Sequence, residues 1–264
     1  MIVHAGTDTL RASELESPLQ CLWKVNLLDA DISRAGDVLS ADEIAHAEGM
    51  AGNECRRYLA RRIALRELIA TATGIPPASL ELEQVCSLCG KRHPASVCTQ
   101  SGSRLWWSAS SDAWTYCVAL SSSPVGVDIQ SLRAPAGWRA VIGRCFTLGE
   151  MLEVGADPER FITMWTLKEA FLKALGIGLS GRLDALDCSL LERGQGGSLV
   201  SPAFPKVRLW ALEPWSGVAG ALVTSWSVQR PHGEAADLPG LREDVSRANA
   251  VAHHGHHGRM KQIG

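Results

Sequence analysis

The chain has 264 residues, of which 46% are hydrophobic and 20% charged, and its formal net charge at pH 7 is -2. This apolar content is enough for one large core or two smaller ones. The near-neutral charge argues against binding to nucleic acid or to an acidic membrane surface, because proteins that bind these negatively charged partners are usually strongly basic.

Residues 1–18 contain no apolar run of the kind found in signal peptides, and no stretch of the sequence is long and apolar enough to cross a bilayer. We therefore expect a cytoplasmic protein with a flexible N-terminus over 1–18. The eight cysteines are spread along the chain, which favours reduced thiols over a disulfide framework.

The first half of the sequence predicts strands mixed with helices. In chain order we expect a strand over 22–28, a helix starting at the capping box of Ser40 and Glu43, a helix over 53–72, a strand over 79–85, a loop over 86–103 and strands over 105–109 and 115–120. The second helix should stop at Gly74, because glycine closes helices readily and the prolines that follow prevent continuation.

The second half predicts a similar mixture. In chain order we expect a turn over 121–124, a strand over 125–129, short helices over 138–144 and 148–154, a strong helix over 159–175 closed by Gly176, and strands over 185–190, 206–212 and 220–226. Residues 230–264 lose periodicity and predict a disordered tail. Since strands and helices occur in both halves, we expect an α/β or α+β fold.

Asp128 and Gln130 lie two residues apart on a predicted strand, so their side chains share a face. Both offer oxygen, the ligand type that Mg²⁺ prefers. Gly126 in the same strand would let another backbone or a ligand approach closely. By itself this pattern is more often a strand end that meets a turn.

The helix over 159–175 carries Trp165, Glu169 and Lys173 on one face, with Lys168 beside them. Its ordinary interpretation is an amphipathic helix with a solvated Glu169–Lys173 ion pair of small energetic value. Together with Asp128, however, Glu169 could complete a metal site with a lysine one turn away. A cation and a lysine suit a phosphate-rich substrate, and a carboxylate beside the metal can accept a hydroxyl proton.

Three segments resemble, in order and spacing, the signature of the Sfp-type 4′-phosphopantetheinyl transferases. They are Gly126-Val-Asp-Ile-Gln130, Phe146-Thr-Leu-Gly-Glu150 and Trp165-Thr-Leu-Lys-Glu-Ala-Phe-Leu-Lys173. The family pattern is Gly-(Val/Ile)-Asp-(Ile/Val)-Glu, then Phe-x-x-x-Glu, then Trp-(Ser/Thr)-x-Lys-Glu-Ala-x-x-Lys. The segment over 57–66 is similar to an Arg-bearing helix of the family, and the similarity extends from about residue 39 to 179.

This resemblance implies two similar subdomains, over 19–121 and 122–229, with coenzyme A bound in the active-site cleft between them. It implies a transferase that depends on Mg²⁺, with Mn²⁺ as the alternative ion. The enzyme would transfer the phosphopantetheine arm of coenzyme A to a serine of an apo acyl or peptidyl carrier protein and release adenosine 3′,5′-bisphosphate. The single-chain size and two-lobed resemblance favour a monomer.

The resemblance also implies roles for individual residues. The metal ligands would be Asp128, Gln130 and Glu169. The catalytic residues would be Glu169, Lys173 and Asp128. Glu169 would serve as, or help to position, the base that deprotonates the carrier serine, Lys173 would neutralise the diphosphate, and Glu150 would be an accessory acid. The residues that would bind coenzyme A are Arg57, Lys91, His93, Ser110, Ser111, Asp128, Lys168 and Lys173.

The sequence departs from the family pattern at three places. Gln130 stands where the family usually has glutamate, and a neutral amide predicts weaker Mg²⁺ binding. Ser111 stands at a usual histidine position, and Glu43 and Ile44 lie where basic residues are usual, with His46 the nearest candidate. These departures motivate an alternative: a catalytically weakened homologue that binds coenzyme A or a carrier protein without efficient turnover.

The Cys/His segment over 86–98 has two further interpretations. Cys86, Cys89, His93 and Cys98 are one residue short of a zinc-knuckle spacing and could hold structural zinc. The segment is also similar to a family loop that contacts phosphate, and its basic residues before Pro94 favour that interpretation. A nucleic-acid-binding module built on this segment is disfavoured by the near-neutral charge.

Overall fold

The computed structural model describes residues 19–82, 96–99, 102–176, 183–194 and 197–225. The chain divides after residue 228, and every described residue belongs to the first of the two units. Of the described helices, none has both the length and the apolar character needed to cross a membrane. The predictions made for residues 1–18 and 230–264 lie outside the described residues.

The strands of the described residues form two antiparallel sheets. They are β1 (Leu19–Asn26), β2 (Ser96–Cys98), β3 (Arg104–Asp112), β4 (Thr115–Ser121), β5 (Val125–Ser131), β6 (Glu192–Arg193), β7 (Leu199–Ser201), β8 (Phe204–Trp215) and β9 (Val218–Ser225). The first sheet has the order β1-β4-β3-β2 and the second the order β5-β9-β8-β7-β6. Because every pairing is antiparallel, the fold is α+β rather than α/β.

The described helices lie between and after these strands. They are α1 (Ala35–Val38), α2 (Ala41–Glu48), α3 (Gly52–Thr73), α4 (Trp138–Cys145), α5 (Leu148–Val154) and α6 (Pro158–Leu175). The predicted capping box is confirmed at the start of α2, where Ser40 and Glu43 exchange their side-chain and backbone bonds. The predicted helix ends are confirmed as well, because Gly74 and Gly176 adopt left-handed conformations with φ of 73° and 71°.

Two of the predicted strands and the predicted loop differ from the structure. Over 79–82 the chain is not a strand, because a 3₁₀ turn at Pro77–Ser79 leads into irregular backbone. The predicted loop over 86–103 contains β2, which pairs with β3. The predicted strand over 185–190 is wrong. Two 3₁₀ turns occupy Leu183–Ala185 and Cys188–Leu190, and the Asp187 carboxylate accepts from Ser189 N at 3.0 Å, which favours a turn.

Helices pack on the outer faces of the two sheets. Helix α3 packs against the first sheet through a cluster that includes Ala60, Ile69, Trp107 and Leu120. Helix α6 packs against the second sheet through another cluster. A third cluster joins β4 to β5, β8 and β9, so the faces of the sheets turned away from the helices share an apolar core. The order of layers is therefore α3, first sheet, second sheet and α6.

Gly126 allows α6 to lie directly against β5. A Cβ atom at this position would overlap the carbonyl oxygen of Ala170 and lie 2.6 Å from the backbone nitrogen of Ala174. Both of those atoms belong to the helix backbone, which cannot turn aside as a side chain can. The predicted close approach at Gly126 is confirmed, and the approaching group is another backbone.

Replacing Gly126 by alanine should destabilise the protein by about 3 kcal/mol, because overpacking against backbone forces the helix away from the strand. Urea unfolding measures this loss. The matched control is Gly143→Ala on α4, where nothing lies within 4 Å of the added Cβ. The control should be neutral or more stable, since alanine is the better helix former. Equal stability of the Gly126→Ala variant and the wild type would contradict the packing argument.

Candidate functional site

Asp128 lies in the centre of the candidate site. Asp128 is only 2% exposed, and β5 brings its carboxylate to the junction between the two sheets. The Oδ1 atom accepts a hydrogen bond from Ser110 Oγ at 2.7 Å and another from Lys173 Nζ at 2.7 Å. Gln130 Nε2 lies 3.3 Å from Oδ2, so Asp128 and Gln130 share a face as the sequence predicts.

Lys173 connects both sheets to α6. Besides the Asp128 carboxylate, its ammonium group donates to Val127 O on β5 at 3.1 Å and approaches Ala109 O on β3 at 3.4 Å. The side chain remains 29% exposed. Lys173 therefore neutralises the buried Asp128 carboxylate and holds backbone groups from both sheets at the same point.

Glu169 lies one helical turn before Lys173 on α6, so the two side chains share a helix face. Burial and, to a smaller extent, the nearby Asp128 charge raise the pKa of Glu169 to about 7, while Lys173 opposes the shift. A carboxyl group with this pKa is present in both its protonated and its ionised form near neutral pH. Glu169 is therefore suited to act as an acid or a base.

The oxygen atoms of this group match the donor chemistry of a hard cation such as Mg²⁺. Two carboxylates, Asp128 and Glu169, lie close enough for one to raise the pKa of the other, a repulsion that a divalent cation would relieve. Rotating the Gln130 side-chain amide by half a turn would exchange its nitrogen and oxygen, so that the oxygen faces the site. Within the described part of the chain no group of three or more His, Cys, Asp or Glu side chains could hold a metal.

A second polar group lies between α3 and β3. Arg61 NH1 donates to Ser111 Oγ at 3.1 Å. Arg57 is exposed one turn earlier on the same helix, so the two arginines share a helix face. Sequence reasoning named Arg57 and Ser111 but missed Arg61. The signal that could have identified it is the spacing of four residues from Arg57.

The next two arginines of α3 have a different role. Arg66 Nε donates to Glu43 Oε2 at 2.6 Å, and Arg62 pairs with the other oxygen of the same carboxylate. Arg66 also donates to two backbone carbonyls, those of Pro77 and Leu80. Glu43 thus ties α2 to α3. In the described structure no carboxylate lies within ion-pair distance of Arg61, which leaves its charge available to an anion.

Lys168 does not join the Asp128 group. It is fully buried and pairs with Glu150 Oε1 at 2.7 Å, and its ammonium group also donates to Leu183 O at 2.8 Å and Leu186 O at 2.5 Å. All three of its protons are therefore used inside the protein. No surface remains with which Lys168 could contact coenzyme A, so the burial argues against the sequence-based assignment.

Glu150 is likewise part of the interior. Its carboxylate accepts from Thr147 N and from Cys188 N, both at 2.7 Å, in addition to pairing with Lys168. The first of these bonds belongs to the capping box that begins α5. Glu150 and Lys168 therefore fasten α5, α6 and the turns over 183–190 to one another, which is a structural role.

Other residues predicted for the site lie outside the described residues. These are Lys91 and His93, together with Cys86 and Cys89 of the possible zinc set. Cys98, the last member of that set, is exposed on β2. The coenzyme A contacts and the zinc site expected for this segment stay predictions.

Comparison with known proteins bears directly on the Asp128 group. Residues 124–226 match the model of the 4′-phosphopantetheinyl transferase superfamily. This range runs from β5 to β9 and includes Asp128, Gln130, Glu169 and Lys173. The segment over 124–226 belongs to the 4′-phosphopantetheinyl transferase superfamily. The family resemblance seen in the sequence is thereby confirmed.

Individual relatives in this superfamily are distant. The chain is 26% identical over 197 residues to 4′-phosphopantetheinyl transferase HetI of Nostoc sp. (strain PCC 7120 / SAG 25.82 / UTEX 2576), a match covering 71% of this chain and 81% of HetI. It is 35% identical over 96 residues to 4′-phosphopantetheinyl transferase AcpT of Salmonella typhi, a match covering 34% of this chain. The match covers 50% of AcpT, so the chain spans about half the length of this relative.

A crystal structure of Helicobacter pylori holo-[acyl-carrier-protein] synthase (AcpS) in complex with coenzyme A is also similar. The match covers 38% of this chain and 98% of the AcpS chain, at 20% sequence identity and a TM-score of 0.27. A TM-score of this size supports no argument about how the two sheets are arranged.

Replacing Lys168 by methionine should destabilise the protein by roughly 3–5 kcal/mol, because it leaves the Glu150 carboxylate buried and uncompensated. Adding Glu150→Gln should restore part of the loss. Urea unfolding measures both effects, and Lys206→Met, at an exposed position, is the control. A Lys168→Met variant with normal stability but weaker coenzyme A binding, measured by calorimetry, would instead make Lys168 a ligand-binding residue.

Proposed function

We propose that this chain transfers the 4′-phosphopantetheine moiety of coenzyme A to a serine of an apo acyl or peptidyl carrier protein and releases adenosine 3′,5′-bisphosphate. The observation that carries the proposal is the meeting of Asp128, Glu169 and Lys173 inside the range that matches the superfamily. A strand and a helix bring these side chains together at the exposed edge of a buried junction.

Glu169 is the proposed general base. Without a bound cation its pKa is about 7, so the carboxyl group is suited to accept the proton of the carrier serine hydroxyl near neutral pH. Asp128 contributes a carboxylate whose position is fixed by Ser110 and Lys173. The exposed part of Lys173 supplies positive charge beside the reacting phosphate.

Asp128, Glu169 and Gln130 are the proposed Mg²⁺ ligands, with Mn²⁺ as the alternative ion. When bound, the cation stabilises negative charge on the diphosphate of coenzyme A. Gln130 contributes an amide in place of a carboxylate, so the ligand set carries one negative charge fewer than a set with glutamate. We expect the metal to bind more weakly for that reason.

The nucleotide end of coenzyme A is proposed to bind at the basic edge formed by Arg57, Arg61 and Ser111. The guanidinium group of Arg61 offers several fixed donors, and the Ser111 hydroxyl holds one of them in place. Lys91 and His93 are also proposed to bind coenzyme A. The cleft between subdomains 19–121 and 122–229 is the proposed location of coenzyme A, and the proposed working form is a monomer.

The proposed transfer is tested by mixing the protein with coenzyme A, Mg²⁺ and a panel of apo carrier proteins, and by following the carrier mass. The wild type should add phosphopantetheine, whereas Glu169→Gln should be at least about 100-fold slower because its amide cannot accept a proton. Glu159→Gln, on the exposed first turn of α6, is the matched control.

Two outcomes would contradict this assignment. Undiminished activity of Glu169→Gln would remove Glu169 as the base. No adduct on any carrier, with coenzyme A still bound by calorimetry, would favour the catalytically weakened homologue instead.

Arg61→Ala should weaken coenzyme A binding by about tenfold, because a charge-assisted bond to phosphate is lost. The maximal rate at saturating coenzyme A should change little, since Arg61 is on α3 whereas the proposed base, Glu169, is on α6. Calorimetry and steady-state kinetics measure the two effects. Arg56→Ala, exposed but on a different helix face, is the control. Equal losses in both variants would indicate a general effect of charge rather than a specific contact.

A further inference from the structure

Two serine hydroxyls of β3 face β5 across the junction of the sheets. Ser108 and Ser110 lie two residues apart, so they share a face of the strand. Ser108 Oγ accepts from the backbone nitrogen of Val127 at 3.0 Å. Ser110 Oγ donates to Asp128 Oδ1 at 2.7 Å. One hydroxyl thus holds the strand backbone and the other holds the carboxylate.

The two oxygens of Asp128 have different surroundings. Oδ1 receives two strong donors, Ser110 Oγ and Lys173 Nζ, each at 2.7 Å. Among the described residues, the contact of Oδ2 is the longer one of 3.3 Å with the Gln130 amide. Each carboxylate oxygen has two lone pairs. Both lone pairs of Oδ1 accept hydrogen bonds from the protein, whereas Oδ2 can accept another partner.

The same geometry limits what Ser110 can do for a substrate. A serine hydroxyl has one proton, and Ser110 gives it to Asp128. Phosphate oxygens need donors, so Ser110 cannot donate to a phosphate while it holds this carboxylate. The expected contact of Ser110 with coenzyme A therefore conflicts with the bond that the structure contains.

We propose that Ser110 is a positioning residue that fixes the Asp128 carboxylate so that Oδ2 is the oxygen available to a divalent cation. The proposal rests on the proposed function, because that function supplies the cation. Without the Ser110 hydroxyl, the carboxylate is free to turn about its last bond. Lys173 could then pair with either oxygen and compete with the cation for Oδ2.

The test measures cation binding directly. Mn²⁺ serves as the probe, and its free concentration is followed by electron paramagnetic resonance with protein present, in the absence and in the presence of saturating coenzyme A. Ser110→Ala should weaken Mn²⁺ binding by roughly tenfold, as loss of a group that orients a metal ligand commonly does. Ser110→Thr keeps the hydroxyl and should bind Mn²⁺ within about twofold of the wild type.

Ser108→Ala is the matched control, because it removes a hydroxyl from the same strand and the same junction but not from Asp128. It should lower the Tm and leave Mn²⁺ affinity within about twofold of the wild type. If Ser110→Ala itself folds poorly, Ser110→Val takes its place beside Ser110→Thr, since these two side chains have nearly the same shape and differ in the hydroxyl.

Three results would overturn the proposal. They are unchanged Mn²⁺ affinity in the variants that lack the Ser110 hydroxyl, an equal loss of affinity in Ser108→Ala, and a wild type that binds no Mn²⁺ under either condition. Failure of the proposed function is a separate result, because it is an absence of adduct on carrier proteins and does not depend on Mn²⁺ binding.

Discussion

The backbone of α6 lies against the backbone of β5 at Gly126, and the candidate site depends on this contact. Ala170 and Ala174 meet the glycine. The residues immediately before them, Glu169 and Lys173, are consequently held next to Asp128, two positions along the strand. A side chain at residue 126 would widen the gap between helix and strand by the size of a methyl group or more. Hydrogen bonds of 2.7 Å do not survive such a displacement.

Two lysines of the same helix illustrate how burial separates structural residues from site residues. Lys168 and Lys173 are five positions apart on α6 and each pairs with a carboxylate at 2.7 Å. The first is fully buried, so its ion pair fastens neighbouring elements together. The second is partly exposed, so its charge still acts on whatever occupies the site. The sequence motif contains both lysines and does not distinguish these roles.

Sequence reasoning predicted the regular parts of the fold well, because their signals are local. Ser40 with Glu43 marks a helix start, and Gly74 and Gly176 mark helix ends. The sequence predicts a strand over 185–190, and this prediction is wrong. The true form of this segment depends on Asp187 and on the distant Lys168, whose ammonium group takes two of the carbonyls of the region. Such a long-range bond has no signature in the local pattern.

Sequence reasoning identified some residues of the candidate site and missed the contacts of others. Spacing and resemblance identify Asp128, Gln130 and Lys173, and the structure brings both Gln130 and Lys173 within hydrogen-bonding distance of Asp128. The bond between Arg61 and Ser111 joins residues 50 positions apart and could not be foreseen from either neighbourhood. The burial of Lys168 could not be foreseen either, because a charged side chain on a helix is usually exposed.

The three acceptors of Lys173 have a thermodynamic consequence. Its ammonium group holds a carbonyl of each sheet as well as the carboxylate between them. An anionic ligand that attracts this group competes for the same protons that hold β3 to β5. Ligand affinity and cohesion of the two sheets are therefore linked quantities, and by reciprocity any change that loosens the junction also alters the affinity for the anion.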